Sequence, residues 1–371
     1  MATTAKPKIL HVAAAIADAP GVARQMEMEQ FAANESGLDW RSVLFVPRAG
    51  RAESSVVMPV ESGGTLGPAQ WWKFRRQVAQ KTIELMDDRD IVLYRYPPSD
   101  LNLRNIRRAA RSKTLLSVHH TLEAKELAVL GGRFGVVRGA LEDQLAPLQL
   151  KGWDGVIGVT HEIAGFQEDR LELPKGRAFI YPNGVAFVDP PAADSRGDLP
   201  ELVFLASAFH PWQGLDRLRR AVAGSRAKFR LHLIGSLSKE QRAGCASDTR
   251  IELHGNLHRE AVLDLLARAW VGVAGLAFDR SHLSQACPLK TRDYLAAGVP
   301  VVSGHDDLFP GDFPYYRHTG TDIEAILAAA HEWRSVDRAT VREAARPHID
   351  KVELVRRLYG ELVAAFASAD N

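Results

Sequence analysis

Short apolar segments alternate with amphipathic ones along nearly the whole chain, and the alternation runs twice, on either side of a proline-dense break at Phe187 to Pro200, FVDPPAADSRGDLP. Before the break, Lys8 to Ala14, Ser42 to Val46, Ile91 to Tyr94, Thr114 to Val118 and Trp153 to Thr160 read as strands. Val22 to Ala33, Trp71 to Met86 and Thr121 to Leu130 read as helices between them. The continuous apolar character of Ile91 to Tyr94 and Thr114 to Val118 suits strands buried on both faces, which is the habit of a parallel sheet covered by helices. After the break come strands at Leu202 to Ala206, Arg230 to Ile234, Ile251 to Leu253 and Trp270 to Ala274, with helices at Gly214 to Ala223 and Arg259 to Ala267 and a helical region from Thr321. The fold expected is α/β, with two units of similar build facing each other across a linker and a cleft between them as the favoured place for a ligand. A length of 371 residues suits two domains of ordinary size.

Composition narrows the function classes. With 47 Lys and Arg against 45 Asp and Glu, no global field draws the chain to nucleic acid. Two cysteines, Cys245 and Cys287, lack ligand-like spacing. They argue against a disulfide framework or a zinc cluster and fit a cytoplasmic protein. The opening MATTAKPKILHVAAAIADAP reads as a first strand rather than a signal peptide, and no run reaches the ~20 apolar residues of a membrane span.

The chemistry concentrates in Asp279 to Val302, DRSHLSQACPLKTRDYLAAGVPVV. Pro288 suits the first helical position, because it has no N–H to lose there, and Gly298 suits the left-handed residue that ends a helix. The first turn of such a helix points N–H groups and a positive dipole end at the preceding loop, so with Lys290 beside it the stretch is a candidate phosphate site. In the first half, the turn Asp18-Ala-Pro-Gly21 between a strand and a helix is a second, weaker candidate. Strand ends in an open parallel sheet are where ligands bind, which draws attention to Arg95-Tyr96 and to His119-His120-Thr121. Asn183-Gly184 reads as a turn with positive φ. The helix at Trp71 sets Trp71 and Trp72 beside Lys73, Arg75, Arg76 and Lys81, a composition for lying on anionic lipid. A second basic run from Arg104 to Lys113 could share that face.

Several segments, in order, resemble the retaining glycosyltransferases of the two-Rossmann-domain GT-B type, the family-four group. They are Tyr181-Pro-Asn-Gly-Val185, Phe204 to Leu218, Leu233-Ile-Gly235, Leu253-His-Gly-Asn-Leu257 and Pro288 to Val302. The resemblance implies a hexosyltransferase-type enzyme that moves a sugar from a nucleotide diphosphate sugar to a hydroxyl of a glycan, lipid-linked or small-molecule acceptor, with retention and without a metal or other cofactor. It suits bacterial-type polysaccharide or glycoconjugate synthesis in the cytoplasm, peripheral on the inner face of the membrane. A nucleotide-sugar epimerase of the same architecture and a catalytically weak binding module are the alternatives.

Carried onto this chain, the resemblance assigns residues 1–188 to an acceptor-side domain, 189–345 to a donor domain and 346–371 to a helix returning to the first domain. Donor contacts fall to Gly21, Gln213, Gly214, Gly235, Leu257, Leu289, Lys290, Thr291 and Asp293, with Asp293 on the ribose. Catalytic roles fall to His119, His120, Gln285 and Lys290. Two departures stand out: Gln285 replaces the first of the family's two glutamates, and Gln213 replaces its phosphate-loop lysine. Lys290 is expected to compensate, with Arg292 or a first-domain residue such as Arg24 or Arg95 closing over the cleft.

Overall fold

The structure is a computed structural model that describes residues 6–15, 19–47, 54–60, 67–187 and 193–366. Asp18, and most of the glycine-rich segment Ser62 to Pro68, lie outside the described residues. The chain divides into two compact units, Met1–Pro182 with Lys351–Asn371, and Asn183–Asp350.

The first unit alternates β1 (Ile9–Ala14), α1 (Pro20–Glu35), β2 (Trp40–Pro47), β3 (Val57–Val60), α2 (Pro68–Leu85), β4 (Ile91–Arg95), α3 (Leu103–Ala109) and β5 (Thr114–His119). It continues with α4 (Glu123–Leu130), α5 (Gly135–Gln149), β6 (Gly155–Gly158), α6 (His161–Arg170) and β7 (Ala178–Ile180). The strands form one parallel sheet in the order β3-β2-β1-β4-β5-β6-β7. Both faces are covered, as the unbroken apolar strands require. One face packs Leu10, Val12, Val92 and Leu115 against Phe74 and Val78 of α2. The other packs Ile9, Leu93, Leu116 and Ile157 against the last helix of the chain.

The second unit contains β8 (Glu201–Ala208), α7 (Leu215–Gly224), β9 (Arg230–Ser236), α8 (Lys239–Cys245), β10 (Ile251–Gly255), α9 (Arg259–Arg268) and β11 (Val271–Val273). Then follow α10 (Leu289–Ala296), β12 (Val301–Ser303), β13 (Tyr316–His318), α11 (Ile323–Trp333) and α12 (Arg338–Ile349). Its parallel sheet runs β10-β9-β8-β11-β12-β13, with a core built on Phe204, Leu218, Phe229 and Trp270. The order reverses at β1/β4 in the first sheet and at β8/β11 in the second, the places where α/β sheets hold ligands. The final helix, α13 (Lys351–Phe366), returns to the first unit through Leu354, Val355, Leu358 and Leu362.

Three local expectations need correction. The unit boundary lies at Pro182/Asn183 rather than within the proline-dense break, because the described part of that break is tied to the second unit: Ser195 donates to the Ala267 carbonyl, and Arg196 to the carbonyls of Trp333 and Val336. Asn183 and Gly184 do not adopt positive φ, since the segment is drawn out by contacts with α10. Gly21 is not a turn residue; it lies in the first turn of α1, directly after Pro20, whose fixed φ starts the helix there.

Candidate functional site

The site in the second unit is set by how α10 begins and ends. Pro288 is the cap residue in extended conformation, one position earlier than expected, and it supplies no capping side chain. The Thr291 N–H turns back to the Pro288 carbonyl at 3.2 Å, which leaves the N–H groups of Leu289 and Lys290 for whatever lies in front of the helix. At the other end Gly298 takes φ +79, and the N–H groups of Gly298 and Val299 donate to the carbonyls of Leu295 and Tyr294, closing the helix as a Schellman turn. A Cβ at Gly298 would stand 2.5 Å from the Arg338 carbonyl oxygen, so glycine also permits α12 to approach.

In front of α10 stand the loops that follow β8 and β11. Gly214, at φ +73, ends a single 3-10 turn at Pro211–Gln213, and a Cβ there would press into Leu276. Leu276 and Ala277 donate backbone N–H groups to the carbonyls of Gln213 and Trp212. Two bidentate ion pairs, Arg217 with Asp279 and Arg280 with Asp216, lock the loops to each other. Together they aim Gln213 at Lys290, whose Nζ donates to Gln213 Oε1 at 2.6 Å.

Lys290 is 8% exposed, and its ammonium lies 4.8 Å from the centre of the Phe204 ring. Among the described residues no carboxylate pairs with it. Burial pulls its pKa down to about 7, so near neutral pH it exchanges between ammonium and amine. Arg292, two residues on, has the opposite environment. Its guanidinium makes a bidentate pair with the fully buried carboxylate of Asp307 and donates to the Asn183 carbonyl. Burial would lower its pKa, but Asp307 outweighs that and keeps it charged. The expectation that Arg292 adds charge to a ligand site is corrected: its charge is already spent. Asn183 completes the joint, donating to the Cys287 Sγ and carbonyl. That places Asn183, in the middle of the family-like Pro-Asn-Gly-Val segment, against the start of α10.

The remaining assigned residues fall at varying distances from this centre. Leu289 and Thr291 flank Lys290 in the first turn, and the Thr291 hydroxyl is buried without a partner. Asp293 is half-buried one turn further on. Gln285 lies in the loop before α10, where its backbone bridges to Asp306. Gly235 and Leu257 occupy the carboxyl ends of β9 and β10, on the same edge of the sheet. Gly235 has a packing reason of its own, since a Cβ there would lie 1.6 Å from the Ala206 carbonyl oxygen. One residue escapes sequence reasoning. His305, after β12, is 1% exposed, donates from Nδ1 to the Gly275 carbonyl at 2.9 Å, and among the described residues leaves Nε2 buried without a partner. Its pKa falls to about 4 through burial, so it is a neutral ring against Gly275 and Phe278 of the segment that follows β11. No spacing rule marks a single histidine after a strand.

In the first unit the two histidines separate. His119 is fully buried, its Nδ1 on Glu123 at 2.8 Å, its Nε2 on Ser117 at 2.9 Å and its ring against Tyr96. Both nitrogens are taken, which corrects its assignment as a catalytic group: it positions β5 against α4. His120 is half-buried, and among the described residues its ring makes no hydrogen bond. Burial, then Arg95 and His11, push its pKa well below the ordinary value. Arg95 is half-buried at the end of β4, with a pKa lowered to about 10 by burial despite Glu123 and Glu126.

The lipid-facing assignment on α2 is also corrected. Arg75 is buried, stacks on Trp71 at 3.9 Å and donates to the Pro98 carbonyl at 2.8 Å. Trp71 is half-buried, leaving only Trp72 and Arg76 exposed among the four. The densest group of exposed apolar side chains described in this unit lies on and just before α5. Glycines 135 and 139 bring that helix so close to α4 that a Cβ would meet the carbonyls of Ala128 and Ala124. The outer face then carries Phe134, Val136, Val137, Leu141 and Leu148, each 52–71% exposed.

Against this geometry, known proteins offer a direct comparison. Residues 200–333 match the family model described as "Glycosyl transferases group 1". Among curated protein sequences none matches. Sucrose-phosphate synthase from Thermosynechococcus elongatus superimposes with a TM-score of 0.68 at 16% identity, covering 98% of this chain and 100% of that one. The Anabaena protein HepE, solved with UDP and glucose, gives 0.63 at 12% identity, covering 96% of this chain and all of its own. A UDP-N-acetylglucosamine 2-epimerase from Listeria monocytogenes gives 0.54 at 13%, over 99% and 98% of the two chains. The chain has the GT-B fold, and its residues 200–333 are similar to the glycosyl transferases group 1 family.

Proposed function

We propose that this protein is a glycosyltransferase that binds a nucleotide diphosphate sugar at the start of α10 and passes the sugar, with retention, to a hydroxyl acceptor. The observation that carries the reading is Lys290: a buried ammonium at an uncapped helix start, hydrogen-bonded to the neutral Gln213, at the strand-order reversal of the second sheet. A diphosphate leaving group gains negative charge as the glycosidic bond breaks, and a preorganised cation with helix N–H groups stabilises that charge. Asp293 is assigned to the ribose, Thr291 and Leu289 to the phosphate contacts, and Gln285 to a hydrogen bond with a sugar hydroxyl. In the first unit, His120 takes the role of a sugar or acceptor contact. The chemistry assigned to these residues needs no metal.

The acceptor is assigned to an anionic membrane surface, and α5 rather than α2 is the contact. Its exposed apolar face is flanked by Arg133 and Arg138, and Arg104 reaches the Leu148 carbonyl at 3.2 Å. The acids Glu142 and Asp143 of the same helix are engaged internally, the first by Tyr96 and Ser99 and the second by Arg170. An apolar face with basic flanks, its acids occupied elsewhere, is the composition of an interfacial helix. No described helix is long and apolar enough to cross a membrane.

The test is to incubate the protein with UDP-, GDP- and dTDP-sugars on vesicles containing lipid-linked acceptors. Release of nucleoside diphosphate with transfer of sugar is expected. Conversion of the donor sugar without release would mark an epimerase, and binding without either would mark a binding module. Flotation with anionic vesicles should be lost in Val137→Asp with Leu141→Asp. Equal flotation of that variant and the wild type would contradict the α5 contact.

A further inference from the structure

The second sheet carries another cluster of chemistry-bearing side chains at its β9–β10 edge, on residues to which no donor contact is assigned. His232 lies in mid β9 and Glu252 stands opposite it in register on β10. His254 follows at a β-bulge between Leu253 and Gly255, and such a bulge re-aims the side chain it carries. His232 Nδ1 is 3.0 Å from His254 Nε2 and 3.4 Å from Glu252 Oε2. His254 Nε2 is 4.0 Å from the same carboxylate oxygen. Ligands held at about 2.0–2.1 Å by a tetrahedral cation lie about 3.3 Å apart, so these three atoms already outline one face of such a tetrahedron.

The surroundings suit a metal in two further ways. His232 is fully buried, and its other nitrogen, Nε2, lies 3.0 Å from a Glu201 carboxylate oxygen on β8. A proton on Nε2 bonded to that carboxylate leaves the Nδ1 lone pair facing Glu252 and His254, the arrangement that orients histidine ligands in metal sites. Arg230 pairs at 3.7 Å with Oε1 of Glu252, which leaves Oε2 to the rings. Arg268 Nε lies 3.7 Å from the same Glu201 oxygen that His232 meets. A hydrogen bond between the two rings accounts for the 3.0 Å contact alone. It does not account for a carboxylate oxygen closing the triangle with a second carboxylate behind it.

We propose that His232, Glu252 and His254 bind one divalent cation of the zinc class, with the fourth position open to solvent, and that this ion fastens the edge strand β10 to β9. Two imidazoles and one carboxylate favour zinc, cobalt or nickel over magnesium or calcium, which prefer oxygen. The side chains of His254 and Glu252 are 23% and 39% exposed, so an ion can enter from the solvent side. The site is independent of the donor reading, because neither ring contacts the Lys290 loops.

The test uses the full chain without a histidine tag, stripped of metal by chelator, and titrated with Co²⁺ by visible absorption and with Zn²⁺ by calorimetry. One equivalent should bind, with the intense visible bands of low-symmetry cobalt, and melting should shift upward. His254→Ala and Glu252→Gln, at partly exposed positions, should each lower affinity at least about tenfold while the circular dichroism stays unchanged, and Glu201→Gln should lower it by about 10–100-fold. Lys290→Met should bind the ion as the wild type does. Failure of the wild type to take up a stoichiometric ion, or equal uptake by His254→Ala and Glu252→Gln, overturns the proposal.

Discussion

Lys290 and Arg292 stand two residues apart on α10, both almost out of water at 8% and 1% exposure, yet the protein treats them in opposite ways. Arg292 is neutralised by Asp307 and employed in holding the Asn183 segment. Lys290 has a neutral amide and an aromatic ring for company. A buried charge is expensive unless paired, so the arginine marks a structural joint and the lysine marks a place where the missing partner comes from outside. The family-like motif places both cations on one helix, but only the environment says which is free to serve a ligand.

The comparison breaks most visibly at the structural cation. Arg292→Ala leaves Asp307 as an unpaired buried carboxylate and should cost about 3–5 kcal/mol of stability, read by urea denaturation. Replacing both partners, Arg292→Met with Asp307→Leu, should recover most of that loss, because no charge is then stranded. If Arg292→Ala lost nucleotide-sugar affinity without losing stability, the roles of the two cations would be exchanged. The smaller effect belongs to Lys290. Lys290→Met should weaken nucleotide-sugar binding by about 1.5–3 kcal/mol, the worth of a charge-assisted hydrogen bond. It should leave stability unchanged or raised, since it removes an uncompensated buried cation.

Much of the fold and part of the site are legible in the sequence, because their signals are local. Buried parallel strands write themselves as apolar runs, and Pro288 and Gly298 mark the two ends of α10 within a residue. Lys290 and Gln213 both stand in motifs that the sequence displays, and the structure places them 2.6 Å apart. What stays hidden depends on partners distant in the chain. Nothing near Arg292 says that Asp307 will close on it, and nothing near His119 says that Ser117 and Glu123 will use both its nitrogens. Arg75 reads as one charge of a basic face, but Trp71 and the Pro98 carbonyl fold it inward. The α5 face is illegible for a different reason. Its glycines, poor helix formers by themselves, are there to let α4 pack close, and that demand appears only when the two helices are side by side.

The pH dependence of nucleotide-sugar affinity measures the central claim most directly. The diphosphate diester of such a donor keeps its charge across the neutral range, so the titration reports the protein. Lys290, lowered to about 7 in the free protein, must be protonated to bind the anion and is held protonated once bound. Proton uptake on binding then makes affinity flat below pH 7 and weaker by about tenfold per unit above it, until the pKa of the complex is reached. Calorimetry from about pH 6 to 8.5 on the best-binding donor should show that fall in the wild type and a flat, weaker profile in Lys290→Met. A wild-type affinity that does not change across this range, or a Lys290→Met profile that falls in the same way, would contradict the assignment of Lys290 as the donor's cation.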